Sequence, residues 1–231
     1  FRGAGKWHGD KGPIKLKKAN PNLPICEAFL ESASSAGFPI VDDLNSDCDE
    51  GLGWYDVNIN NGLRISSFQA YLKPNLKKKN LRVLANTFVN RINFFKGKAV
   101  SVDAISNGKL IKIKANREII ISAGAIKTPQ LLMVSGIGSK DHLSEFKIPV
   151  LVDSPKIGKN FQNHPCYRPF FDCNEAVTAR NYVNLPSALK AGFNWVNSGT
   201  GPLAESFASV GGFFKSNKSL PVSDMQVVLL S

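Results

Sequence analysis

The sequence predicts a mixed α/β fold, and three observations carry that prediction. Residues 119–138 (IIISAGAIKTPQLLMVSGIG) pass from a β-branched apolar run through four small residues into helix formers. Residues 81–115 alternate apolar and polar positions in several short runs, with Asn107-Gly108 between the last two. Residues 25–36 place Ile25, Ala28, Phe29, Ser32, Ala33 and Ala36 at helical spacing.

The run of Ile119, Ile120 and Ile121 is apolar throughout, the pattern of a strand covered on both faces; a surface strand would alternate. Ser122-Ala123-Gly124-Ala125 then admits close approach of a ligand or another backbone. Thr128 is the expected N-cap and Pro129 the expected first residue of a helix that Gly136 and Gly138 end. Strand, small-residue turn and helix together set free backbone N–H groups above the strand's carboxyl end. Taken alone, such a unit is equally a packing device, because strand–turn–helix is common to many functions.

In chain order, a Gly-rich opening (Gly3, Gly5, Gly9, Gly12, Pro13) leads into the alternating Ile14-Lys15-Leu16. Asn20-Pro21-Asn22 is the expected start of the first helix and Gly37 its stop. Asp43, Asn45 and Asp47 match the opening of a calcium loop, but Cys48 stands where that loop requires Gly and Trp54 where it requires a closing Glu, so the segment reads as a polar loop. Asn61-Gly62 signals a tight turn; Ser66 or Ser67 is expected to cap a short helix through Tyr71 that Pro74 ends. Strands are expected in LRVLA, FVNRINFF, AVSVDAIS and KLIKIKA, forming a meander with one wet face. Ser139 is expected to cap a helix whose apolar residues Leu143 and Phe146 lie three apart, and Pro149 to precede a strand at 150–152. Beyond residue 165, Trp195, Phe207, Phe213 and Phe214 lie among Gly and Pro breaks, the pattern of mixed sheet and helix.

With 231 residues and 43% hydrophobic content, the chain can bury a core of one or two domains. It has no initiating Met, no signal segment and no apolar run of the ~18 residues a membrane span needs. Both ends therefore read as internal to a longer polypeptide. The formal charge of +11 sits in short lysine clusters (Lys15, Lys17, Lys18; Lys77, Lys78, Lys79) without interleaved aromatics, which argues against nucleic acid. Cys26, Cys48, Cys166 and Cys173 form neither a disulfide framework nor a zinc pattern, and the compartment stays open; the sequon Asn217-Lys218-Ser219 would matter only in a secreted parent. No G-x-G-x-x-G, P-loop or G-x-S-x-G occurs, and His8, His142 and His164 lack metal-ligand spacing.

The string SAGAIKTPQLLMVSGIG closely resembles a signature segment of the glucose-methanol-choline (GMC) flavoprotein oxidoreductases. WHGDKGPIKL, NGLRISSFQAYLKP, NLRVLANTFVNRI, REIIISAGA, IGKNFQNHP and GTGPL continue the resemblance in the family's order along almost the whole chain. In IGKNFQNHP, Gly158, Asn160, Gln162 and His164 match the family pattern, while Phe161 and Asn163 depart from it. The resemblance implies a partial FAD-binding, Rossmann-like domain with a β-meander, plus the start of a sheet-based substrate domain. It divides the chain into 1–74, bridging the two domains, 75–160, an FAD-domain segment, and 161–231, the beginning of the substrate domain. It implies oxidation of an alcohol or sugar by hydride transfer to FAD, with an external electron acceptor, no nucleic acid and no membrane span. The cofactor-binding residues it implies are Val89, Ser122, Ala123, Gly124 and Ala125. No catalytic residue is expected within the chain: the family's proton-abstracting His lies downstream, and His164 reads as structural. The alternative from another class is a non-catalytic, basic binding or structural module derived from the same fold.

Overall fold

The computed structural model describes residues 2–231, apart from the side chain of Asn181. The chain opens with β1 (Lys17–Lys18), α1 (Pro24–Ser35), β2 (Gly51–Trp54), β3 (Asp56–Val57), β4 (Ile59–Asn60) and β5 (Leu63–Arg64). Then follow β6 (Thr87–Phe95), β7 (Lys98–Ser106), β8 (Lys109–Lys114), α2 (Gly124–Val134), β9 (Ile137–Gly138), α3 (Lys140–Glu145) and β10 (Val152–Asp153). The last elements are α4 (Leu185–Ser198), β11 (Ala208–Phe214) and β12 (Met225–Leu230). These elements form two units, residues 2–81 with 170–231, and residues 82–169.

In the first unit a three-stranded antiparallel sheet of order β12-β11-β2 packs against α1. Leu23, Cys26 and Leu30 from the α1 side meet Leu52 and Val210 in its core. That face is turned from the expected stripe: Ala28, Ser32 and Ala36 are exposed, because positions 23, 26 and 30 bring larger apolar groups to the sheet. The helix also starts later than Asn20-Pro21-Asn22 suggests. Asn22 has φ +53, outside the right-handed region that side-chain-bearing helical residues adopt, and Pro24 takes the first helical position. Strand β2 was not anticipated. At its centre the backbones approach so closely that a Cβ on Gly212 would overlap the Gly51 carbonyl and lie 2.7 Å from Leu52 Cα.

The acidic loop after α1 is an anchor for the Gly-rich opening. Arg2 donates to Asp56 (2.8 and 3.0 Å) and Asp42 (2.9 Å), Lys18 donates to Asp42 (2.8 Å), and His8 Nε2 lies 2.6 Å from Asp43. At residues 66–72, Ser66 and Gln69 exchange hydrogen bonds as a capping box (2.9 and 3.3 Å). The turn that follows is wide, with the Lys73 N–H reaching the Phe68 carbonyl, and Pro74 sits inside a further 3₁₀ turn instead of ending the helix.

In the second unit β6, β7 and β8 form the expected antiparallel meander. Asn107 (φ +49) and Gly108 (φ +76) make its second turn, as the sequence predicts. The first turn uses Lys96 (φ +46) and Gly97 (φ +76) in the same left-handed pair of conformations. Helix α2 packs on β6. Two expected strands do not pair: residues 81–85 and 119–121 are unladdered, and Ile120 is 78% exposed. A strand is completed by its neighbour, and among the described residues neither segment has one. Near α3 the cap comes from elsewhere: Asp153 accepts from the Lys140 N–H at 2.9 Å, and the Ser139 side chain makes no cap bond. Leu143 is buried, but Phe146 is exposed and meets the His142 ring edge-on at 5.1 Å. The expected strand at 150–152 is found displaced, as β10, which pairs in parallel with β9.

Candidate functional site

The small-residue turn projects from the second unit. Ser122, Ala123, Gly124 and Ala125 are all exposed, as is Ile126. Helix α2 starts at Gly124, four residues before the expected Thr128 cap. The reason is local: Gly124 takes φ +83, a conformation that turns the chain sharply and that side-chain-bearing residues resist. Ala123, the N-cap, offers no side-chain acceptor, so the first N–H groups of α2 receive none from it. Pro129 consequently lies within the helix, where its missing N–H leaves the Ala125 carbonyl without the usual donor. The result is a helix start whose first donors have no side-chain cap and whose Gly124 faces open space: a Cβ added there meets nothing within 4 Å.

A cleft of about 500 Å³ opens beside this turn, walled by Ala125, Ile126, Pro129 and Met133 of α2 and by residues 158–162. Gly158 (φ +78) and Asn160 (φ +57) shape the second wall. Sequence reasoning placed Gly158, Asn160 and Gln162 only in a family-type loop; Gly158 and Asn160, residue types that tolerate positive φ, were the available signal. His164 lies beyond that wall in an exposed loop, its backbone N–H donating to Asn163 Oδ1 at 2.9 Å. A smaller cavity of about 120 Å³ in the first unit is lined by Arg2, His8, Asp10, Lys15 and Asp56 among glycines, and the ion pairs described above engage Arg2, His8 and Asp56.

Val89 is half-buried on β6, opposite Ala104 of β7. The register slips between Val89 and Arg91, so Asn90 is the extra residue of a β-bulge, and its Oδ1 is buried with no hydrogen-bond partner among the described residues. Strand β6 is an edge strand among the described residues, and the helix that carries the small-residue turn packs on it and also hydrogen-bonds to it. Buried Ser135, just past α2, accepts from the Ile92 N–H at 2.9 Å and donates to the Leu131 carbonyl at 2.6 Å. Val89 lies on β6 and residues 124–125 open α2, two elements that pack together and that Ser135, a residue the sequence reading passed over, links by a hydrogen bond.

The fold matches known proteins. The GMC oxidoreductase family model matches residues 7–166. The mitochondrial choline dehydrogenase of Homo sapiens is 37% identical over 224 residues, covering 97% of this chain and 38% of its own length. An oxygen-dependent choline dehydrogenase of Staphylococcus saprophyticus is 34% identical over 215 residues, 93% of this chain and 38% of the relative. Among solved structures, an FAD-dependent oxidoreductase from Chaetomium thermophilum superposes with TM-score 0.82 at 23% identity, over 92% of this chain and 38% of that one. Pyridoxine 4-oxidase from Mesorbium loti superposes with TM-score 0.61 at 30% identity, over 64% of this chain and 30% of that one. The chain spans about two fifths of the length of these curated relatives. On the strength of the family match and of relatives aligned along nearly its whole length, this chain belongs to the GMC oxidoreductase family.

Proposed function

We propose that the chain is a section of an FAD-dependent oxidoreductase that acts on the CH–OH group of an alcohol, with the proton-abstracting His on polypeptide outside these residues. The observation that carries the reading is the exposed turn Ser122–Ala125 at the start of α2, within a chain that aligns with choline dehydrogenases almost end to end. The residues present fit a dinucleotide. Small side chains leave the backbone approachable, the helix start offers N–H donors and a positive dipole end to phosphate, and the cleft gives a bound group a second wall. FAD, when bound, supplies the hydride acceptor.

In this reading Ser122, Ala123, Gly124 and Ala125 lie along the dinucleotide, and Val89 borders its adenine end. Ile119, Ile120 and Ile121 join a sheet completed by other parts of the polypeptide, which explains an apolar run left in the open. Residues 75–160 are then the FAD-domain segment and 161–231 the beginning of the substrate domain. The substrate is an alcohol, and choline is the first to test because relatives from a mammal and a bacterium are named as choline dehydrogenases; sugars come second. An external electron acceptor completes the cycle. The test is flavin content of the full-length polypeptide: Ala123→Leu fills the approach and reduces bound flavin, whereas wild-type flavin content in that variant removes the proposed contact.

A further inference from the structure

The C-terminal end of α4 and the β4–β5 turn are built around each other. Asn61 (φ +49) and Gly62 (φ +70) make the turn in the left-handed pair of conformations that a two-residue hairpin needs, and α4 ends at Gly199 with φ +63. The two backbones approach so closely that neither glycine has room for a side chain. A Cβ on Gly62 would lie 2.7 Å from the Gly199 carbonyl oxygen, and one on Gly199 would lie 2.8 Å from the Asn61 carbonyl oxygen. Trp195, one turn back along α4, donates from Nε1 to the Gly62 carbonyl at 2.8 Å. Glycine is thus required twice at each position, by conformation and by space. The two requirements are separable: Gly108 has φ +76, and a Cβ there meets nothing within 4 Å.

Short-range bonds continue this contact on both sides. In the helix end, the Gly199 N–H donates to the Trp195 carbonyl at 2.9 Å, and Ser198 Oγ donates to the Asn194 carbonyl at 2.8 Å. In the hairpin, Ile59 pairs with Arg64 and Asn60 with Leu63; at its base the Ile65 N–H donates to the Asn58 carbonyl at 2.7 Å and Asn58 Nδ2 donates to the Ile65 carbonyl at 2.9 Å. The capping box of Ser66 and Gln69 then leads into the wide turn at Phe68–Leu72. A hairpin with two residues in each strand has too little pairing to persist alone, and the end of α4 supplies what it lacks. We propose that the contact of Trp195, Gly62 and Gly199 is a conformational coupling device: it makes the end of α4 and residues 58–72 one cooperative piece, so that a displacement of the helix carries the hairpin and the wide turn with it. On the reading under Proposed function, the device fastens the segment that bridges the two domains to the start of the substrate domain; the coupling itself stands apart from that reading.

The test is amide hydrogen exchange in the purified full-length polypeptide, read in peptides covering 58–66, 190–199 and the meander. Trp195→Phe keeps an aromatic ring and removes the donor to Gly62. Gly199→Asn keeps a residue type that tolerates the left-handed conformation and places a Cβ against the Asn61 carbonyl. Each is expected to speed exchange by about tenfold or more in 58–66 and in 190–199 together, with the meander unchanged. Asn58→Ala, which removes a bond at the base of the hairpin, is expected to loosen 190–199 as well. Gly108→Asn makes the same conformational demand without a close neighbour and is expected to leave 58–66 and 190–199 as in the wild type. The proposal is overturned if 58–66 keeps wild-type exchange in Trp195→Phe, or if Asn58→Ala loosens the hairpin alone. Bound flavin does not enter this measurement, so a negative result leaves the FAD reading standing and a colourless polypeptide leaves the coupling standing.

Discussion

Replacing Ser135 by Ala removes a side chain that hydrogen-bonds the end of α2 to the edge of the meander. The Ile92 N–H points away from β7, and Ser135 Oγ, fully buried, is its acceptor at 2.9 Å. Alanine leaves that donor buried without a partner, which costs about 1–3 kcal/mol, the desolvation of an amide and not merely the net worth of one bond. For a protein of this size each kcal/mol lowers Tm by about 2–4 °C. Ser144→Ala is the control, since its hydroxyl also donates within a helix, to the Lys140 carbonyl at 2.7 Å, but is exposed. Thermal unfolding of the two variants beside wild type should separate them clearly. Equal melting temperatures for Ser135→Ala and wild type would refute the argument that the Ile92 amide depends on Ser135.

Gly212→Ala drives a methyl into the Gly51 carbonyl, so the β2–β11 pairing must separate; soluble yield and melting temperature should both fall, and a wild-type melt would contradict the close approach. In acid, Asp42 is held below the usual carboxylate range by Lys18 first and Arg2 second, so the stability it adds is present above the unfolded pKa and is lost as pH falls. Asp42→Asn should therefore flatten the decline of stability below about pH 4, read by denaturant melts across that range, and an unchanged acid limb would count against these pairs. Burial pushes the Cys26 thiol up, while Cys166 and Cys173 are exposed; maleimide at neutral pH should label the latter two first, and early labelling of Cys26 would contradict the core around α1.

Turn chemistry and alternation were the legible parts of this sequence. Asn107-Gly108 specifies its hairpin because both residue types tolerate positive φ. Lys96-Gly97 adopts the same geometry, but lysine carries no such preference, so only the flanking strands could have announced it. Strand β2 was hidden for two reasons: glycine weakens strand propensity, and its partner β11 lies far along the chain. Thr128-Pro129 is a sound helix-start signal overruled by Gly124, whose positive φ turns the chain earlier and leaves the proline inside. The small residues of the candidate site were legible by composition. Their wall at 158–162 was not, because proximity in space between segments so far apart is set by packing of α2 and its neighbours, which no local pattern encodes. The apolar run 119–121 reads as a strand covered on both faces, yet it is unpaired and Ile120 is exposed, because a strand's pairing belongs to its neighbours.

The central claim, that this chain forms part of an FAD-dependent alcohol oxidoreductase, is tested most directly by the visible absorption spectrum of the full-length polypeptide, recorded anaerobically before and after addition of choline and then of other alcohols. The account predicts a flavin spectrum that bleaches with one of these alcohols and is diminished in Ala123→Leu. A colourless protein that takes up no FAD on titration would contradict it.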